Sequence, residues 1–209
     1  MAIDLILIGG GGHAMACLDV ISSLDALRPV GIVERPEFHG REVMGVPVVG
    51  GDSDLPRLVD AGNSVLVAIG QILSPDPRFR LYARLVELGA RMPAVVARSA
   101  HVAADARIGA GTIVMQMAMV GPAAKIGDNC IINSRALVEH EVQIGDHCHV
   151  ATGAIINGGC MIGDGTFIGS GAVLKQGITV GERVVIGMGC TVERDVPPGT
   201  KLVHGRSRG

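Results

Sequence analysis

The sequence predicts an α/β half followed by a parallel β-helix. Two changes of period along the chain carry that expectation. Up to about residue 97, short apolar runs alternate with stretches of helical spacing; from about residue 98, aliphatic side chains recur at every sixth position. Composition agrees with both. The 209 residues are 48% hydrophobic yet include one tyrosine, three phenylalanines and no tryptophan. A core of Val, Ile, Leu, Ala and Met suits thin, repeated layers.

The first half reads in order. "LILIGG" is a short buried strand, and a helix is expected from about His13 to Leu27. "RPVGIVER" is a second strand. A helical stretch over 54–60 precedes a third, "NSVLVAIG". "PRFRLYARLVELGA" has helical apolar spacing and ends at Gly89, before a last short strand in "MPAVV". Strand–helix alternation implies a small parallel sheet, so residues 1–97 are expected to form an α/β domain and 98–209 the β-helix with a C-terminal tail.

In the second half, stepping by six from Val102 through Ile108, Val114 and Val120 to Val192 meets an aliphatic residue every time. Four residues after each lies a second series, mostly small, from Ala106 and Thr112 to Val196. Its members stand two residues before the next aliphatic, so both point to one side of a strand. One large and one small inward residue per hexad is the mark of a parallel β-helix. Glycines after Ile108, Ile126, Ile144, Ile162 and Val180 add a period of eighteen. Three hexads per turn make a triangular prism. Cys130, Cys148, Cys160 and Cys190 fill small inward slots, where a thiol behaves as a small hydrophobe. With no CxxC, neither a disulfide nor a zinc site is expected. Met115, Met117 and Met119 read as an outer face that packs on another surface.

A formal net charge of -2 with no basic block disfavours nucleic-acid binding. No apolar run reaches membrane-spanning length, and the first residues lack the basic region of a signal peptide, so a cytoplasmic protein is expected.

Two stretches bear chemistry. "IGGGGHA" follows a strand and opens a helix, so that Gly9, Gly11 and Ala14 fit G-x-G-x-x-A and the helix N-terminus favours a diphosphate. Glu34, twenty residues after Ala14, stands where a dinucleotide-binding acid would. A half that ends near residue 97 is too short for a whole dinucleotide site, so one nucleotide is the expected ligand. The other stretch is "LVEHEVQIGDHCHV", residues 137–150. His149 points outward from a strand, while His140 and His147 fall at or near corners. Three ligands on different edges do not converge, so no metal is expected. His147 reads as a solvated corner. One coil above His140 and Glu141 lie Gly158 and Gly159, leaving room for a ligand beside a histidine and backbone donors, which suits acyl transfer.

With hexads in the second half and "GGGGHA" in the first, the chain resembles the left-handed β-helix acyltransferases, and most closely the NeuD/PglD-like group, over nearly its whole length. The resemblance implies left-handed coiling and a homotrimer with an active site between neighbouring prisms. It implies acetyl-CoA as co-substrate and N-acetylation of a nucleotide-linked amino sugar. His140 would be the general base and Glu141 its partner. His149, the Gly158 amide, Ser170 and Met188 would contact acetyl-CoA. Gly11, Gly12 and His13 would lie near sugar and phosphates, and Glu34 and Arg35 near the base. Two departures stand out: Arg35 replaces a frequent acid, and the ending "KLVHGRSRG" is atypical, with Lys201, Arg206 and Arg208 as candidate phosphate contacts. O-acetylation of a sialic acid or related sugar, and a non-catalytic nucleotide-sugar-binding role, remain the alternatives.

Overall fold

The computed structural model describes residues 2–203. The first half is a five-stranded sheet. Its elements are β1 (Ile3–Ile8), α1 (Gly12–Ser22), β2 (Leu27–Val33), β3 (Glu42–Val43), β4 (Val46–Gly50), α2 (Leu55–Asp60), β5 (Ser64–Val67) and α3 (Asp76–Glu87). The sheet order is β3-β4-β2-β1-β5, parallel except for the β3–β4 pair. Alternation along β1 explains why both faces are covered. Leu5 and Leu7 pack with α1 residues Ala14, Cys17 and Val20. Ile6 and Ile8 pack on the other side with Leu55, Leu58 and Leu85.

Three details differ from the expectation. Helix α1 stops at Ser22, where the Ser22 and Ser23 hydroxyls donate to the Asp19 and Val20 carbonyls and compete with helix propagation. The β3–β4 hairpin was not foreseen: its two-residue turn places Met44 at φ 51 and Gly45 at φ 79, and a methionine in that conformation hides the turn. The strand in "MPAVV", Val95–Val96, belongs to the prism, where it pairs with Ile113–Val114.

The second half is a left-handed parallel β-helix of two-residue strands stacked into three parallel sheets. Face one runs from Val95–Val96 through Ile113–Val114, Ile131–Ile132, His149–Val150, Phe167–Ile168 and Val185–Ile186 to Lys201–Leu202. Face two runs from His101–Val102 to Thr191–Val192, and face three from Arg107–Ile108 to Thr179–Val180. The aliphatic series fills the interior, with Val102 and Ile108 partly buried at the open end. Every sixth residue from Gly111 to Gly189 has a positive φ, so each corner turns through the left-handed region whatever residue occupies it. At the corner between faces three and one, Asp128, Asp146 and Asp164 each accept from a backbone amide one coil below, at 2.7–2.9 Å.

The halves dock through face one. Outward residues Ile113, Met115 and Ile131 join the apolar cluster beneath α1. Arg78 of α3, 1% exposed, ties the contact. Its guanidinium donates to the Val67 and Ile69 carbonyls and to both oxygens of Asn129. Among the described residues no helix is long and apolar enough to cross a membrane.

Candidate active site

His140 and Glu141 occupy the corner between faces two and three. Nδ1 of His140 lies 3.1 Å from Oε2 of Glu141, and both side chains are exposed. A proton held on Nδ1 by the carboxylate leaves the Nε2 lone pair free to take another. The ring lies over Gly158, one coil above: a Cβ there would stand 2.5 Å from Cε1 and Nε2 of His140. Only a residue without a side chain leaves room for this ring position.

The backbone at this corner differs from the aspartate corner. There, the amide of Asp128 is capped by Asp146 one coil above. The equivalent amide of Gly158 has no hydrogen-bond partner among the described residues. A histidine with a free ring nitrogen therefore stands beside an unused backbone donor. That pairing can accept a proton and hold an oxyanion in one step.

The other two histidines of the stretch lie elsewhere. His147 is 8% exposed, so it is not the solvated corner the sequence suggests. Its ring packs edge-on against Phe79 and Tyr82 of α3, and Nδ1 meets Nδ2 of Asn129 at 2.9 Å. Burial holds its pKa below the ordinary value. His149 does point out of the prism, but into the first half. Its Nδ1 donates to the Gln71 carbonyl at 2.6 Å, and Nε2 accepts from Asn133 at 3.2 Å. Burial lowers its pKa to about 4, so both ring nitrogens are committed within one neutral chain. His13 faces it, with ring centroids 6.5 Å apart, and burial lowers its pKa to about 3. Nε2 of His13 is buried without a partner.

Sequence reasoning missed Gln71, Arg78, Asn129 and Asn133. One signal was available: Arg78 falls seven residues before buried Leu85, on the apolar stripe of α3.

The glycine loop forms a second locus. Gly9 has φ +106, and a side chain there would strike Ile69; side chains at Gly11 and Gly12 would meet nothing within 4 Å. Gly11 caps α1 without a side-chain bond, and no acid stands in its first turn, leaving an open cradle of amides for an anion. Glu34 takes up part of this loop. Its carboxylate accepts from the Gly10 amide at 2.7 Å and from the Arg35 amide at 2.9 Å. Burial pushes its pKa up, but the two amides and the Arg35 guanidinium outweigh this and hold it below the ordinary value.

Two cavities flank the loop. One, of about 420 Å³, has an apolar floor of Ile8, Val33, Ile69 and Leu81 and a polar rim that includes Arg35, His39, Asp52 and Ser53. The other, of about 310 Å³, lies between Gly10, Gly11 and Arg41. Arg35 and Arg41 sit on Phe38, 5.3 and 5.2 Å from its ring centre.

Thus His140, Glu141 and Gly158 meet at one corner, and Gly11, Gly12, Glu34 and Arg35 meet at the loop. His13 and His149 meet between the halves. Ser170 and Met188 lie apart from His140, on the corner between faces one and two. Lys201 lies in the last strand of face one, and Arg206 and Arg208 fall outside the described residues. A groove of about 580 Å³ along face three over Gln143, Met161 and Thr179 holds none of these residues. Among the described residues no three His, Cys, Asp or Glu side chains are grouped to hold a metal.

A fold of stacked hexads joined to a glycine-loop α/β half defines a class, the hexapeptide-repeat acyltransferases. Family comparison matches residues 4–85 to the PglD N-terminal domain and residues 123–158 and 159–194 to the bacterial transferase hexapeptide (six repeats). PerB from Caulobacter crescentus, solved in complex with CoA and GDP-perosamine, is 33% identical with a TM-score of 0.88, over 95% of this chain and 92% of that one. The acetyltransferase domain of PglB from Neisseria gonorrhoeae, solved with acetyl coenzyme A, is 28% identical with a TM-score of 0.89, over 96% of each chain. WeeI from Acinetobacter baumannii, 22% identical with a TM-score of 0.74 over 99% of each chain, shares the fold. Comparison with curated proteins gives no match. The chain belongs to the PglD-like family of hexapeptide acetyltransferases, and it is an acetyltransferase.

Proposed function

We propose that the protein transfers acetyl from acetyl-CoA to the amino group of a nucleotide-linked amino sugar. The observation that carries this reading is the His140–Glu141 pair beside the unused Gly158 amide. The amine nitrogen attacks the thioester carbonyl carbon while Nε2 of His140 takes the amine's proton. The Gly158 amide donates to the carbonyl oxygen as it gains charge. The carbon–sulfur bond then breaks, and the thiolate leaves with a proton returned from His140. Glu141 keeps the imidazole in the tautomer this requires and stabilises its charged form, as the carboxylate of a triad does.

The α/β half holds the nucleotide and the β-helix performs the transfer. The open amides of Gly11 and Gly12 suit a diphosphate, and PerB binds a nucleotide-linked amino sugar in its crystals. Ser170 and Met188 stand at the opposite edge of face two from His140. Face two carries an apolar ladder of Met119, Leu137, Ile155 and Val173. A second copy packed on that ladder would bring another chain's Ser170 and Met188 edge toward His140. This supports a homotrimer with acetyl-CoA bound between chains.

The test is thiol release from acetyl-CoA with UDP-, GDP- and dTDP-linked amino sugars, each paired with its hydroxyl counterpart. Release only with an amino sugar supports the reading. Release with the hydroxyl sugar alone would make the protein an O-acetyltransferase, and no release with any would remove the catalytic assignment.

A further inference from the structure

We infer that the base read by this chain is guanine, so that the substrate is a guanosine diphosphate-linked sugar. The inference rests on the nucleotide-sugar reading and adds the identity of the base. The cavity of about 420 Å³ beside the glycine loop has an apolar floor for a flat ring and a polar rim on which, besides the Glu34 carboxylate already held by the Gly10 and Arg35 amides, stand two charges of opposite sign. Asp52 supplies the negative one. Its carboxylate makes no hydrogen bond or ion pair among the described residues, whereas neighbouring Asp54 is occupied by the Gly51 amide and Arg57. Arg35 supplies the positive one. It is 71% exposed, is held loosely by Glu34 at 3.6 Å and Glu37 at 3.2 Å, and lies over the Phe38 ring.

The chemistry of the bases decides which ring such a rim accepts. An ionised carboxylate only accepts hydrogen bonds. Guanine alone presents two adjacent donors, N1–H and the N2 amine, on its pairing edge. Uracil and thymine present one N–H between two carbonyl oxygens, and adenine and cytosine place a bare ring nitrogen beside their amine. Each of these sets a lone pair against the carboxylate. On guanine's other edge, O6 and N7 are both acceptors, the pattern an arginine fork satisfies best. Asp52 and Arg35 on one rim therefore match the two edges of one base. The glycine loop, which borders this cavity at Gly9 and the second cavity at Gly10 and Gly11, lies where the diphosphate leaves the nucleoside.

The experiment is calorimetry on the full-length protein with GDP, IDP, UDP, dTDP and ADP. IDP is GDP without the N2 amine. GDP is expected to bind about 10-fold or more tighter than UDP, dTDP or ADP, and about 10-fold tighter than IDP. In Asp52→Asn, the GDP and IDP affinities should converge, with acetyl-CoA binding retained as the sign of an intact fold. UDP or dTDP binding as tightly as GDP would overturn the guanine assignment while leaving the nucleotide-sugar reading in place. Equal GDP and IDP affinities in the native protein would do the same. If no nucleoside diphosphate binds, both the assignment and the reading beneath it fall.

Discussion

Glu141 sits at φ 60, a conformation that costs a residue with a side chain about 1 kcal/mol, while the same corner one coil above is occupied by Gly159. A residue kept at a strained corner for its carboxylate separates stability from catalysis. Glu141→Gly should leave Tm no lower than that of the native protein, yet reduce kcat for acetyl transfer. His140→Ala should reduce kcat further, by about two to four orders of magnitude, with little change in Tm because the ring is exposed. Thermal melts and steady-state rates on the two variants check both statements. His147 should behave in the opposite way. Its buried ring packs against Phe79 and Tyr82 and bonds to Asn129, so His147→Ala should cost about 2 kcal/mol or more of stability by loss of packing and of a buried bond. The hexad puts His140 outside both inward series, and its ring is exposed at a corner. The sequence misjudged His147, because the repeat registers which way a corner points and is silent on what packs against it.

Elements show the same division. Gly158→Ala meets no φ barrier, but its new methyl group would collide with the His140 ring. The ring must move, and kcat should fall while coenzyme affinity is largely kept; an unchanged kcat would separate Gly158 from the site. The seam between α1 and face one has its own signature in acid. His13 and His149 titrate at about 3 and about 4, below the ordinary histidine value of 6.5. As pH falls the unfolded chain takes up these protons first. The stability held by the neutral pair is therefore complete above pH 6.5 and is lost as pH falls toward about 4. Melting temperature should decline over that window, and His149→Gln should flatten the decline. An identical slope in the variant would show that other groups control it. The local sequence announced little of this seam beyond Met115 on an outer face and Arg78 on the apolar stripe of α3. Arg78 and Gln71 gain their roles from contacts to Asn129 and His149, 51 and 78 residues away, a relation that periodicity does not encode.

For the whole molecule, the expectation that follows from face two is assembly. Light scattering should give a mass of three chains, and Ile155→Glu, in the middle of the apolar ladder, should release monomers and abolish transfer together. A native monomer would rule out a site shared between chains. The prism was the most legible part of the molecule, since sixfold and eighteenfold periods are visible in one dimension. The β3–β4 hairpin was the least, because its turn rests on a methionine at positive φ.

From Val95–Val96 to Thr191–Val192 the coils of the prism rest on one another in unshifted register, with strands paired eighteen residues apart, as Met119 is with Leu137. Length in such a body is quantised. Removing one coil above Gly163 would leave His140 in place and bring every later rung down by a single strand spacing, about 4.8 Å. Removing six or twelve residues would instead rotate the remainder by one or two faces and turn its corners toward the wrong neighbours. Enzymes built this way can change the reach between their two substrates only in whole rungs, so finer fitting to a particular sugar falls to the loops around β2 and β4, which no such rule constrains.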